Sequence, residues 1–240
     1  MTSLLLLDGS PRGPRSNSMK MLSRLAEGWI SAGGAAPETL HLVRPADFDR
    51  AVAAFAQAEV VLLGMPLYTD AMPGLVMAFI EALAPRVAVA AAGGRNPVLA
   101  FLVQSGFPEA LHSRPLERYL QKLARRLGSP YAGTIVRGGG EALQMRPDSS
   151  NQRLWAQLRT LGGQLARDLR FGAPELRAIA GVERFSPVTA ALLSVAFKLP
   201  FAQFCWNRQL KSNGAWDQRF AAPYRSNGST SGGSVAEPWG

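Results

Sequence analysis

Three stretches of this chain carry residue types that can hold a charged or planar ligand, and each follows a short apolar run. The first is Gly9-Ser10-Pro11-Arg12-Gly13-Pro14-Arg15-Ser16-Asn17-Ser18, after Leu4 to Leu7. Ser10, Ser16 and Ser18 bring hydroxyl donors, Asn17 an amide, and Arg12 a planar charged fork matched to phosphate oxygens. A helical pattern begins at Asn17, so unpaired backbone N–H groups and the positive end of a helix meet the same corner. Such a corner suits an anion, most often a phosphate. No Gly-Lys-Ser/Thr follows, so this is not a Walker loop, and Gly9 and Gly13 do not fit G-x-G-x-x-G. A monophosphate is the expected ligand. An ordinary turn before a capped helix is the plainer alternative.

The second stretch is Met65 to Pro73, after the apolar run Val60 to Leu63. Pro66 stiffens it, Leu67 offers an apolar wall and Tyr68 an amphipathic ring, a combination able to bracket a flat aromatic ligand, with a loop tyrosine packing on its own surface as the plainer alternative. The third is Gln104-Ser105-Gly106-Phe107-Pro108-Glu109, after Pro97 to Val103. Gln104 supplies donor and acceptor, and Ser105-Gly106 permits close backbone approach. Together the three imply one pocket with a phosphate at one end and a planar ring between two loops. Flavin mononucleotide (FMN) has that shape.

The elements that must position these loops follow from hydrophobic periodicity. Ser3 to Leu7, Val60 to Gly64 and Pro97 to Val103 are apolar without alternation, the mark of strands buried on both faces. Thr39 to Val43 and Thr134 to Val136 read as two more strands. Between them, Leu22, Leu25, Ala26 and Trp29 give a helix that starts near Ser16–Ser18 and stops at Gly33-Gly34. Further helices are expected from Pro45 to about Ala58, from Pro73 onward, over Leu116 to Leu127, and over Leu154 to Leu169. The helix after Pro73 is apolar on two sides, with Leu75, Phe79, Ala82 and Leu83 on one and Val76 and Ile80 on the other. Ala88 to Gly94 reads as that helix's end and a turn. Alternating strands and helices predict an α/β fold, a doubly wound five-stranded parallel sheet in the order 2-1-3-4-5. Ligands bind such sheets at the carboxyl ends of the strands, where all three loops fall.

The 240 residues are 47% hydrophobic, enough for a sizeable core, and carry a formal net charge of +9. The positive residues are spread along polar helix faces and no nucleic-acid recognition motif is present, so no nucleic-acid partner is expected. Cys205 is the only cysteine. It permits no intramolecular disulfide and no cysteine-ligated metal or cluster, which fits a reducing cytoplasm. No basic region precedes the first apolar run, so a signal peptide is not expected. His41 and His112 are assigned surface or packing roles.

The motifs Gly9-Ser10-Pro11-Arg12 with Ser16-Asn17-Ser18, Pro66-Leu67-Tyr68 with Pro73 beyond, and Gln104-Ser105-Gly106-Phe107 resemble those of the flavodoxin-fold NAD(P)H-dependent FMN reductases, quinone-reductase-like members included. The resemblance covers roughly residues 3 to 170. It implies that Ser10, Arg12, Ser16, Asn17 and Ser18 hold the FMN phosphate. It also implies that Pro66, Leu67 and Tyr68 lie against the isoalloxazine, and that Gln104, Ser105, Gly106 and Phe107 contact the ring from the other side. The activity it implies is hydride transfer from NAD(P)H through FMN to a quinone, flavin or other small acceptor, in a homodimer. The flavin performs that chemistry, so no catalytic acid or base and no metal ligand is assigned. Rival readings are an electron carrier, which the basic charge disfavours, and a non-enzymatic binding protein on the same fold.

The expected organisation is an FMN-binding domain over 1–171, a C-terminal helical extension over 172–224 and a flexible tail over 225–240. The extension is rich in Phe185, Phe197, Phe201, Phe204, Trp206 and Trp216 and has no counterpart in the short reductases. A lid, a dimer contact and a membrane-touching helix are its possible roles, with packing within the subunit or dimer as the default. Pro187 to Trp206 contains Lys198 and Pro200, which makes it a poor spanning segment. Gly138-Gly139-Gly140-Glu141 is a further turn able to border the pocket.

Overall fold

The computed structural model describes residues 2–145, 147–197 and 204–221. The chain divides into two compact units, Met1–Phe185 and Ser186–Gly240. In the first, Leu4–Asp8 (β1), Glu38–His41 (β2), Val60–Pro66 (β3), Val98–Gln104 (β4) and Tyr131–Arg137 (β5) form one sheet. All pairings are parallel and the order is β2-β1-β3-β4-β5, as the sequence predicts. The helices of this unit are α1 (Asn17–Ser31), α2 (Pro45–Phe55), α3 (Gly74–Ala82), α4 (Pro85–Ala91), α5 (Arg114–Arg126), α6 (Ala142–Met145), α7 (Gln152–Asp168) and α8 (Ala173–Ala180).

The unbroken apolar strands serve two cores. Leu4, Leu6, Leu62, Ala100, Leu102 and Ile135 pack with Leu22, Leu25 and Trp29 of α1 and Trp155, Leu158 and Leu161 of α7. Leu5, Leu7, Val61, Leu63, Phe101 and Val103 pack on the other face with Phe55 of α2, Phe79 of α3 and Leu116 and Leu120 of α5. Successive residues of a strand point to opposite faces, so covering both demands an apolar side chain at every position.

The seam between α1 and α7 rests on two glycines. A Cβ on Gly28 would overlap the Arg159 carbonyl, and one on Gly162 would overlap the Leu25 carbonyl, so the two backbones meet without side chains between them. Glu27 closes the rim of this seam, accepting from Arg159 Nε at 2.7 Å and from Arg24 Nη1 at 2.5 Å. Burial pushes the Glu27 carboxyl up, but the two arginines outweigh it and hold the group below the usual carboxylate range.

Three local expectations change. Ala88 to Gly94 does not simply end the helix after Pro73; a second helix, α4, begins at Pro85, bent 43° from α3. Proline at a first helical position fits this restart. The buried face of α3 is Val76 and Phe79 with Leu83 beyond, whereas Met77 on its outer side is exposed. The fifth strand runs over seven residues, Tyr131–Arg137, rather than three, because Tyr131, Gly133 and Arg137 break its apolar run without breaking its pairing.

The boundary placed at 171 falls inside the first unit. Phe171 and Ile179 are buried in the same core as α1 and α7, and α8 packs against β5. Beyond α8, Val182 pairs with Glu109, and the Phe185 N–H donates to Glu109 Oε1 at 2.7 Å. Glu183 pairs with Arg114 at 2.7 Å, and that hydrogen-bonded pair holds the Glu183 carboxyl below its ordinary range.

The second unit contains α9 (Pro187–Phe197) and α10 (Phe204–Ser212). The break expected at Pro200 and the tail expected over 225–240 lie outside the described residues. Among the described residues no single helix is long and apolar enough to cross a membrane. The bent pair α3–α4 passes on length and composition, but Val76, Phe79 and Leu83 are buried in the core.

Candidate functional site

The three loops singled out in the sequence leave the carboxyl ends of β1, β3 and β4, which are adjacent in the sheet. They meet in one cleft of about 50 Å³. Ser10, Arg12 and Asn17 line it from the first loop, Pro66, Leu67 and Tyr68 from the second, and Gln104 and Gly106 from the third. Ser16, Ser18, Ser105 and Phe107 do not line it. Ser16 is the N-cap of α1: its hydroxyl accepts from the Met19 N–H at 2.9 Å and donates to Asp8 Oδ1 at 3.3 Å. Ser105 Oγ donates to the Phe107 carbonyl at 3.1 Å, and the exposed Phe107 ring stacks on His112 with centroids 4.6 Å apart.

The loops are laced to one another through their backbones. The Leu67 N–H donates to the Gln104 carbonyl at 2.7 Å, joining the second loop to the third. The Gly140 N–H donates to the Ser105 carbonyl at 2.7 Å, and Asn17 Nδ2 donates to the Gly140 carbonyl at 2.8 Å. The loop after β5 thereby ties the third loop to the first. A Cβ on Gly140 would overlap the Gln104 amide, so a side chain there would displace Gln104 within the cleft. Tyr68 sits at the base of a tight reversal in which Tyr68 and Ala71 exchange backbone hydrogen bonds. Thr69 inside that turn has φ 56°, a left-handed conformation that is strained for a β-branched residue.

Two acidic residues shape the corner, Asp8, which the sequence reading did not assign, and Glu141, from the turn expected to border the pocket. Asp8, the last residue of β1, is fully buried. Its Oδ1 accepts from the Ser10 N–H at 3.1 Å and from the Ser16 hydroxyl, and its Oδ2 lies 3.0 Å from His41 Nδ1. Burial pushes the Asp8 carboxyl up, and the contacts with His41, Ser10 and Ser16 pull it back only in part. An aspartate ending an otherwise apolar strand was the signal for it in the sequence. His41 accordingly serves the base of the first loop. Glu141, next to Gly140, also lines the cleft, and its Oε1 lies 3.3 Å from Arg12 Nη2. The two side chains are 47% and 50% exposed, so the pair is a solvent-accessible latch over the arginine end.

What this corner offers a ligand is set by what its donors already do. Asn17 Oδ1 and Ser18 Oγ are buried with no partner among the described residues, and Ser10 Oγ accepts only the Arg12 N–H at 3.3 Å. A planar charged fork, spare hydroxyls and a helix N-terminus are the donor set for a phosphate. Beside the Tyr68 loop lies a second, mainly apolar groove of about 320 Å³, lined by Met72, Met77, Ile80, Pro115 and Tyr119 among others.

No protein-family model matches the sequence, and no curated protein matches it. Solved structures do match in fold. An FMN-dependent NADH-azoreductase from Bacillus anthracis str. Ames Ancestor, in complex with FMN, is 13% identical. The alignment covers 70% of this chain and 100% of that one, with a TM-score of 0.52. The apo form of an NADH:FMN oxidoreductase is 17% identical, with 79% and 99% covered and a TM-score of 0.54. An NAD(P)H:quinone oxidoreductase from Methanothermobacter marburgensis is 17% identical, with 69% and 98% covered and a TM-score of 0.52. With its strand order and these matches, the chain has a flavodoxin-like fold.

Proposed function

We propose that the protein is an FMN-dependent oxidoreductase that passes hydride from NADH or NADPH to a quinone, a flavin or another small electron acceptor. The observation that carries this reading is the convergence of Ser10, Arg12, Asn17, Pro66, Leu67, Tyr68, Gln104 and Gly106 on one cleft at the carboxyl edge of β1, β3 and β4. The structures similar in fold include an azoreductase bound to FMN and a quinone oxidoreductase, which supports it. FMN, when bound, would supply the hydride-accepting ring.

In this reading the chain's own residues bind and orient. Arg12 and the Ser10 hydroxyl hold the phosphate, with Ser16 capping α1 and Ser18 in its first turn beneath it. Asp8 fixes the loop by holding the Ser10 N–H and the Ser16 hydroxyl. The Asn17 carbonyl oxygen accepts from a sugar-chain hydroxyl. Pro66, Leu67 and Tyr68 form one wall for the ring; Gln104 and Gly106 form the other edge, with Ser105 and Phe107 shaping the turn behind them. At about 50 Å³ the cleft is below the roughly 300–1,000 Å³ of a typical ligand pocket. In this reading the exposed Arg12–Glu141 pair parts as the ligand enters, with phosphate replacing the carboxylate on the guanidinium. The groove beside Tyr68 suits the acceptor or the nicotinamide. The exposed outer side of α3, with Met77, is the proposed homodimer contact, and the single cysteine fits a cytoplasmic protein.

The Arg12–Glu141 latch and the small cleft also favour a second reading, a binding protein that kept the fold without the flavin. The visible spectrum separates the two. The purified protein, as isolated or after adding FMN, should show protein-bound flavin bands, and anaerobic NADH or NADPH should bleach them. Absence of bound flavin under both conditions overturns the first reading.

A further inference from the structure

We infer that α9 and α10, with the turn that follows α10 to Phe220, form a docking surface for an anionic lipid membrane. α9 has no charged residue, and Val188, Leu192 and Val195 stand at i, i+4 and i+7 on one stripe. They are 69%, 66% and 61% exposed. Contiguous exposed apolar side chains of this kind mark interaction sites. At about 16 Å, an 11-residue helix reaches only halfway across a hydrocarbon core of roughly 30 Å, so α9 lies along the interface and does not span it.

α10 supplies the other half of an interfacial signature. Phe204 and Trp206 are exposed, and so are Arg208 and Lys211 beside them. Further along, Lys211 Nζ and Arg219 Cζ lie 4.8 and 4.1 Å from the Trp216 ring centroid. Arg219 also lies 4.9 Å from the ring of Phe220, which is exposed. Asp217 is the one acid among the described residues of this unit. Tryptophan and phenylalanine with arginine and lysine, next to an uncharged helix, match the headgroup region of a bilayer. Charge decides between a membrane and a second copy of the chain. The described residues of this surface hold Arg208, Lys211 and Arg219 against Asp217, which opposes pairing this surface with itself and attracts anionic lipid.

Flotation of the full chain with vesicles of phosphatidylcholine alone, and of phosphatidylcholine mixed with phosphatidylglycerol, tests this. The protein should float with the mixed vesicles, less at high salt, and hardly at all with the neutral ones. Removing both charges in R208Q/K211Q should weaken binding about fivefold per charge. V188S/L192S/V195S should weaken it tenfold or more while the far-UV circular dichroism of the chain is unchanged. No flotation with the mixed vesicles overturns the proposal, as does binding that both variants leave intact. Self-association that V188S/L192S/V195S abolishes, without vesicle binding, assigns the stripe to a second copy and also overturns it. None of these outcomes bears on FMN binding, which the spectrum tests separately.

Discussion

At Arg12, one guanidinium serves two anions. Its present partner is the Glu141 carboxylate at 3.3 Å, and its proposed partner is a phosphate. Arg12→Ala should therefore weaken FMN binding by about 10- to 100-fold, the value of one or two charge-assisted hydrogen bonds. Glu141→Gln should instead tighten it, by about three- to tenfold, because the guanidinium is released and a nearby negative charge is removed. Titration of FMN fluorescence quenching reads both. Equal affinities in the wild type and the two variants would remove Arg12 from the phosphate site. Asp8 yields a pH prediction. Burial raises its folded-state pKa above the ordinary 3.8, so between 3.8 and that raised value the folded chain binds more protons than the unfolded one. Asp8 then contributes most stability below 3.8, and the contribution is lost as pH rises through the folded value. Melting temperatures of wild type and Asp8→Asn, compared from about pH 4 upward, should show the variant gaining on the wild type as pH rises. The opposite trend would mean that His41 favours the charged carboxylate more than burial penalises it.

Where α1 crosses α7, the decisive residues are those with no side chain. A Cβ on Gly162 runs into the Leu25 carbonyl, so Gly162→Ala must push two helices apart. Overpacking of this kind costs about 1–3 kcal/mol, and a backbone obstacle places this case at the upper end. Gly74 at the start of α3 has open space around its Cβ position. Gly74→Ala should gain up to about 1 kcal/mol from helix propensity. Urea unfolding of the pair gives the comparison, and a Gly162→Ala variant as stable as wild type would deny the close approach. These glycines show where sequence reading stops. Continuous apolar runs reveal doubly covered strands because each strand position reports its own burial. A helix-crossing glycine reports on a partner more than 130 residues away in α7, and nothing local in Gly28 or Gly162 announces it. The same holds for the site. The polar loops were legible because their composition breaks sharply from the strands they follow. The turn ending at Glu141 was legible as a border of the pocket, but the pairing of Glu141 with Arg12 and of Asp8 with His41 was not, since the sheet order brings these partners together.

The extent of the sheet unit can be tested on the whole molecule by cutting it in two places. Composition changes after Phe171, and a boundary drawn there looks natural in the sequence. The packing continues for fourteen residues more, to Phe185. Ile179 and Ala180 are buried, the Arg137 guanidinium donates to the Ile179 carbonyl at 3.0 Å, and Val182 pairs beside Glu109 at the third loop. A chain ending at 171 therefore uncovers β5 and leaves the half-buried Arg137 guanidinium without that acceptor. Uncovering one buried isoleucine alone is worth about 1.5–3 kcal/mol, and the loss of the Glu183 pair with Arg114 adds to it. A chain ending at 185 keeps every one of these contacts. Both forms lack the second unit, so their difference isolates residues 172–185. The longer form should unfold in one cooperative transition, and the shorter one should melt at least several degrees lower, consistent with the size of the loss. Because Glu109 belongs to the loop that carries Gln104 to Phe107, the shorter form should also bind FMN less tightly, even at temperatures where it is folded. Equal melting and equal FMN affinity in the two forms would return the boundary to residue 171 and detach α8 from both the core and the site.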